Sequence, residues 1–495
     1  MTFYYDHASH WITSDAQGPI ITAPGSYQSE LGCPGDWQPD CLRSWLQDPD
    51  GDGTYTWSTD QIPVGSYEFK VAINHSWGES YGQGSGNVPL VLAAPATLRF
   101  TYDDTTHAVG VAPTDLPGAA TKADSKLAAP SLRSLATKER FYFVMADRFA
   151  NGDTANDKGG LTGGPLATGF DPTNEGFYHG GDLKGLSNKL DYIKGLGTTA
   201  IWLTPSFKNK PVQGAPGQES AGYHGYWITD FTQVDPHLGT NADMKTLISA
   251  AHAKGMKVYF DIITNHTADV ISYDGGKYTY VNKATSPYKD AQGNAFDDAA
   301  VAGKPACTGG ATAPDCFPAM SPATSFPYVP KVADADKDVK VPAWLNDTTL
   351  YHNRGDSTYA GESATYGDFS GLDDLFTENP KVVSGMEDIY KSWVDFGVDG
   401  FRIDTVKHVN MQFWQSFSPA ILDHAKATGK NNFFMFGEVY DGNAQYASTF
   451  STTGKLPATL DFGFQGSALG FASSKPTTNL RDFYTTDDYY TDTDS

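Results

Sequence analysis

The stretch KVYFDIITNH at 257–266, read together with GFRIDTVKH at 400–408 and FFMFGEV at 433–439, decides the fold. Each begins as a short apolar run and closes on polar side chains. Outward from these, FYFVMA at 141–146 and TAIWLT at 199–204 repeat the pattern, and helical segments separate the runs. Strand, helix, strand in this order predicts an α/β fold with a parallel sheet covered by helices. In a barrel of that kind all the strand C-termini open onto one face, and functional residues gather there.

The polar residues of this chain fall at those ends. Asp261, Asn265 and His266 close the third run, Arg402, Asp404, Lys407 and His408 the fourth, and Glu438 the fifth. One polar residue at a strand end is usually a loop cap; the joint pattern says more. An Arg two positions before an Asp on one strand shares its face, so the guanidinium can hold the carboxylate ionised. A Glu from the next strand can then supply an acid. Two carboxyl groups roughly 5 Å apart, one ionised and one protonated, are what retaining glycoside cleavage requires.

DIITNH, GFRIDTVKH and GEV resemble, in order and on successive strands, three short motifs of the alpha-amylase family. The likeness covers roughly residues 139 to 495 and implies a (β/α)8 TIM-type barrel acting on starch-like α-glucans. It implies Asp404 as nucleophile, Glu438 as general acid and base, and Arg402 as the group orienting Asp404. His266 would hydrogen-bond the sugar, Tyr226 of AGYHGYWITDF would stack on it, and Lys407 and His408 would line the leaving-group side. The segment 267–372, rich in Gly, Ala, Pro and Asp, interrupts the rhythm and reads as a subdomain inserted after a barrel strand.

NGDTAND at 151–157 has the oxygen-ligand density of a calcium loop, although such clusters are also common in plain turns. The family resemblance implies a structural Ca²⁺ held by Asn151, Asp153, Asn156 and Asp157 with Asp182 and the Gly180 carbonyl. A second is implied at Asn265, Asp374 and the His408 carbonyl.

Residues 1–111 are dense in turn signals between short strands, the pattern of a small antiparallel β-sandwich. The run GSYEFKVAINHSWGESYG at 65–82 is similar to modules that precede pullulanases, and exposed Trp77 and Tyr81 would suit glucan stacking if they are not core aromatics. Residues 112–138, rich in Ala, Pro, Thr, Ser and Lys, read as a linker.

The full chain has 495 residues, with 35 basic against 58 acidic side chains and a net charge of −23, which argues against nucleic acid or anionic membrane partners. The four cysteines form two close pairs, Cys33 with Cys41 and Cys307 with Cys316, which reads as two local disulfides; a zinc site would need shorter spacing and nearby His. No apolar run approaches the roughly 20 residues of a membrane helix. A secreted, monomeric protein whose signal peptide has been removed is expected.

One departure from the family pattern stands out. DFGFQG at 461–466 reads as the sixth strand region, and no His-Asp pair supplying a third carboxylate follows it. Asp487 and Asp488 lack an adjacent His. The expectation is a chain that ends before the last barrel strands and is poorly active as it stands. Cleavage of α-1,4 bonds ranks ahead of α-1,6 debranching because GEV is followed by Tyr440 and Asp441 rather than continuing as GEGW. A non-catalytic glucan-binding protein is the rival from another class, and transglycosylation remains open.

Overall fold

The computed structural model describes residues 1–490 apart from 8, 115–135 and 137. The chain divides into two compact units, Met1–Ser131 and Leu132–Ser495. The linker expected at 112–138 lies largely outside the described residues. Its start is strand rather than linker, because Val109–Pro113 pairs antiparallel with Leu98–Asp103.

The first unit is all β. Thr54–Thr59, Leu98–Asp103 and Val109–Pro113 form one antiparallel sheet; Trp45–Leu46, Ile21–Thr22, Val71–Ile73 and Ser76–Tyr81 form another. Period-two alternation along Leu98–Asp103 turns Leu98, Phe100 and Tyr102 inward, where they meet Ile21, Tyr27, Leu46 and Phe69 in the module's core. The Cys33–Cys41 disulfide closes a loop at its surface.

The second unit is built on a parallel sheet of five strands, β1 (Phe141–Val144), β2 (Ala200–Leu203), β3 (Lys257–Ile262), β4 (Gly400–Ile403) and β5 (Phe434–Gly437), in sequence order. Successive strands are joined by helical crossovers, among them Asn241–Ala253, Pro380–Phe396 and Met411–Ala427. The local chemistry explains their limits. Thr240 and Asp243 form a capping box at the start of the first, while the second starts with Asn379 as N-cap and Pro380 in its first turn. Val382, Met386, Ile389, Tyr390 and Trp393 recur at helical spacing and bury one stripe against the sheet.

DFGFQG is not a strand. Asp461 accepts the Phe464 amide at 2.8 Å and caps the helix Phe462–Ala472. The contact with β5 comes earlier: Thr459 forms a parallel bridge with Gly437, the Gly437 amide donates to the Ala458 carbonyl at 3.0 Å, and the Leu460 amide donates to the Gly437 carbonyl at 2.8 Å. A capping Asp and a following Gly won over the apolar pattern.

Within the insertion, Ile271–Tyr273 pairs antiparallel with Pro330–Val332. A small core of Tyr288, Val301, Phe317 and Phe376 fills it, and the Cys307–Cys316 disulfide closes a loop. Its root is pinned electrostatically. Lys340, almost fully buried, forms an ion pair with Asp373, which also accepts the amides of Val270 and Ile271. Among the described residues no helix is long and apolar enough to cross a membrane. Removing one member of a buried pair strands the other, so Lys340→Ala should lower the unfolding free energy by about 3–5 kcal/mol in urea titrations.

Candidate active site

The C-terminal ends of β3, β4 and β5 converge on one guanidinium. Arg402 Nη1 donates to Asp261 Oδ1 and to Asp404 Oδ1, both at 2.7 Å, and its Nη2 lies 2.9 Å from Glu438 Oε1. The ladder hydrogen bonds run on past the strand ends and fix the backbone: the Asp404 amide donates to the Ile262 carbonyl at 2.9 Å and the Glu438 amide to the Ile403 carbonyl at 2.8 Å. Thr405 then takes a left-handed conformation (φ 52°), unusual for a β-branched residue, and its amide donates to Glu438 Oε2 at 3.3 Å.

Asp261 carries more of this site than its strand-end position signalled. Fully buried, it accepts from Arg402, from Trp202 Nε1 at 3.1 Å and from the Tyr226 hydroxyl at 3.1 Å. The Trp202 ring also lies 5.4 Å from the guanidinium carbon. Burial raises the pKa of Asp261 and of Asp404, and the Arg402 charge opposes the rise in both. The Asp404 side chain is 10% exposed and the Glu438 side chain 24%, so Glu438 is the more open of the two.

Around this trio the structure places the other residues singled out in the sequence. His266 is buried, and among the described residues its Nε2 has no hydrogen-bond partner; the Arg402 Nε and Thr405 Oγ1 atoms share that condition. Burial lowers the His266 pKa to about 4, which keeps the ring neutral. Tyr226 is partly buried, with its amide donating to His224 Nδ1 at 3.1 Å. Lys407 Nζ donates to the Tyr440 carbonyl at 2.6 Å, which lies on the β5 side. His408 Nδ1 faces the Ala364 carbonyl at 2.6 Å, and its ring meets Phe369 edge-on at 4.7 Å.

Part of the first expected metal group meets: Asn151 Nδ2 donates to Asp157 Oδ1 at 2.7 Å. Gly180, at φ 89°, leaves so little room that a Cβ there would lie 2.8 Å from both Asn151 Nδ2 and Asp157 Oδ1. The Asn156 Oδ1 atom is buried without a partner. Asp182 caps the following helix by accepting from Gly185 at 2.6 Å and also takes the Gly152 and Asp153 amides. Asp153 faces Lys184 on the exposed side. In the second group, Asn265 and Asp374 are neighbours through the Leu375 amide, which donates to the Asn265 carbonyl at 2.8 Å, and through a bridge between His266 and Asp374. One Asp374 oxygen is engaged by His352 Nδ1 at 2.6 Å, and His352 Nε2 lies 3.0 Å from Glu378. Burial alone would lower His352, but the two carboxylates outweigh it and push its pKa up to about 9. Trp77 belongs to the first unit, where it is 43% exposed.

Asp261 closed a strand just as Asp404 does, so its position was legible, but its three donors come from three different elements. His352 and Glu378 gave no signal because neither sits in a motif. Tyr390 gave none either: from a helix, its hydroxyl donates to the Ile263 carbonyl at 2.5 Å and accepts the Ile263 amide at 3.1 Å, holding the bend after β3.

A parallel α/β barrel scaffold that gathers an Arg-held Asp and a Glu at its strand ends defines the class of TIM-barrel glycoside hydrolases. The alpha amylase catalytic-domain model matches residues 143–495, and the chain belongs to that family. A model of the pullulanase X25 domain matches residues 20–109. An alpha-amylase from Streptomyces lividans is 56% identical over 351 residues, covering 71% of this chain and 37% of that one. A cyclomaltodextrin glucanotransferase from Klebsiella oxytoca is 33% identical over 343 residues, covering 66% and 43%. Among solved structures, a cyclomaltodextrin glucanotransferase with a three-domain ABC distribution superposes with a TM-score of 0.50 at 28% identity, covering 71% of this chain and 62% of that one. The chain thus spans less than half the length of the two curated relatives.

His224 supplies a titration check. Burial, with Arg148 and His266 adding to it, lowers its pKa to about 4. Because the folded value lies below the unfolded one, the unfolded chain takes up the proton first, and stability falls as pH drops from about 6.5 towards 4. Against wild type, His224→Gln should lose up to about 3 kcal/mol less between pH 7 and 4.5 in urea unfolding.

Proposed function

We propose that this chain is a retaining glycoside hydrolase cleaving the α-1,4 bonds of starch- or glycogen-like α-glucans. The observation that carries the reading is the pair Asp404 and Glu438 held by two nitrogens of one guanidinium, Nη1 at 2.7 Å from Asp404 Oδ1 and Nη2 at 2.9 Å from Glu438 Oε1. That is the close spacing of a retaining pair; an inverting pair leaves a gap for water. Glu438 protonates the glycosidic oxygen as the bond to the anomeric carbon breaks, and the Asp404 carboxylate forms a covalent ester with that carbon. Water, deprotonated by Glu438, then cleaves the ester and restores both groups. Arg402 keeps Asp404 ionised, and Asp261 with Trp202 keeps Arg402 in place. His266, neutral and with a free Nε2, is suited to a sugar hydroxyl; the Tyr226 ring is suited to the apolar sugar face, and Lys407 and His408 to the leaving-group side. The similarity to the Streptomyces lividans alpha-amylase supports α-1,4 cleavage, and the pullulanase-type module makes pullulan the comparison substrate.

Calcium fits the first metal group. An orphaned buried Asn156 oxygen and the convergence of Gly180, Asn151 and Asp157 suit a hard cation, with Asp153 and Asp182 alongside. When bound it would pin the loop after β1 and take no part in bond cleavage. For a second ion, the Asp374 and Asn265 side chains and the His408 carbonyl are the donors. Two disulfides suit an oxidising compartment, and secretion is the localisation that follows.

On soluble starch with calcium, the first products should carry the α-anomer by NMR. Asp404→Asn or Glu438→Gln should each lower kcat at least about a thousand-fold. Inverted products, or undiminished activity in Glu438→Gln, would overturn the assignment, and maltotriose from pullulan would move the bond preference to α-1,6. Chelation with EDTA should lower the melting midpoint by about 5 °C, reversed by calcium but not by potassium.

A further inference from the structure

The first unit carries five tryptophans, all with ring neighbours, and they divide sharply. Trp57 lies 4.8 Å from Phe100 in the core, and Trp45 packs against Trp11 and Tyr4. Trp37 and Trp77, among the described residues, have ring contacts only with each other, at 6.3 Å and 44°. Tyr81, the other aromatic the sequence suggested for stacking, is already covered: it lies flat on His107 at 4.2 Å, and its hydroxyl donates to Glu79 at 2.8 Å.

The two indoles are held from opposite sides. Trp77 follows the two-residue turn Asn74–His75, where both φ angles are positive, and stands on Ser76–Tyr81, the edge strand of its sheet. Trp37 sits inside the loop closed by Cys33 and Cys41 and is itself left-handed, at φ 59°. A bulky residue adopts that conformation only when its surroundings impose it. Here they do: the Trp37 amide donates to the Gly25 carbonyl at 3.2 Å, the Gln38 amide to Gln28 Oε1 at 2.7 Å, and Asp36 accepts the Ser29 amide and hydroxyl at 2.8 Å. The loop spends backbone strain on placing a partly buried ring that lies outside the module's hydrophobic core, beside Trp77, which is 43% exposed.

We propose that Trp37 and Trp77, in the first unit, form a binding site for α-glucan chains. Two rigid indole faces ordered before binding suit the C–H face of a pyranose, since little side-chain entropy is lost. Their mutual tilt makes a curved platform, which matches a coiling α-1,4-linked chain better than a flat β-linked one. Ser76, Glu79 and Asp36 around them offer partners for hydroxyls, and the net charge of −23 favours a neutral ligand over an anionic one. The choice of α-glucan rests on the proposed activity of the second unit; the existence of a pyranose platform does not.

The test uses the full chain carrying Glu438→Gln, so that substrate survives, and measures adsorption to granular starch and to cellulose. Trp37→Ala with Trp77→Ala should weaken starch adsorption about ten-fold, as expected for losing a buried aromatic contact. Trp37→Phe with Trp77→Phe should retain most of it, and Tyr81→Ala serves as the comparison for a covered ring. With Glu438 intact, the double Ala variant should hydrolyse soluble maltoheptaose at the wild-type rate, which separates loss of the platform from misfolding and from failure of the catalytic reading. Unchanged starch adsorption by the double Ala variant would overturn the site. Equal, tryptophan-dependent adsorption to cellulose would overturn its α-glucan specificity while leaving the platform.

Discussion

A guanidinium buried against three carboxyl groups is the constraint on which the catalytic unit is organised. Arg402 is 5% exposed and touches Asp261 on β3, Asp404 at the end of β4 and Glu438 after β5. A charge taken out of water must be paired nearly perfectly or it unfolds its surroundings. Three neighbouring strands must therefore end in register, and the parallel ladder delivers this. Negative charge is also in excess there, so the group cannot keep all three carboxyl groups ionised without cost. Burial accordingly raises the pKa of Asp261 and of Asp404 against the pull of the guanidinium.

The rest of the second unit works to keep that arrangement from moving. Tyr390 pins the bend after β3 through both polar atoms of Ile263, and Trp202 covers the guanidinium from β2. The inserted subdomain is fastened to the same edge by buried ion pairs, Lys340 with Asp373 and His352 with Asp374 and Glu378. These pairs place charge where apolar packing would serve stability as well, and they lie at the root of the segment that borders the cleft. The first unit follows a different plan. Its core is apolar and aromatic, and its unusual backbone conformations lie at the surface, around Trp37 and the turn before Trp77.

Particular residues show where reading the chain succeeded and where it stopped. The five strand runs ended where their polar residues indicated, because apolar periodicity and turn chemistry act over a few residues. The two cysteine pairs closed for the same reason: each spans a loop short enough to leave one partner available. DFGFQG failed because an N-cap Asp acts as locally as an apolar pattern does, and here it prevailed. Tyr81 and Trp77 could not be told apart in advance. One became covered by His107, more than twenty positions away, and the other stands 43% exposed after the turn Asn74–His75.

The amino-acid order alone determined the parallel α/β plan, the separate β module, and the placing of Arg402, Asp404 and Glu438 at strand ends, since those depend on spacing within single strands and on side-chain type. Only the tertiary structure decided that Asp261 shares their guanidinium, that His352 stands against Asp374, and that Trp77 of the module stands exposed. Those contacts join residues from separate elements, and their strength depends on burial. Burial is a property of the assembled fold, set by everything packed around a side chain, and no window of sequence contains it.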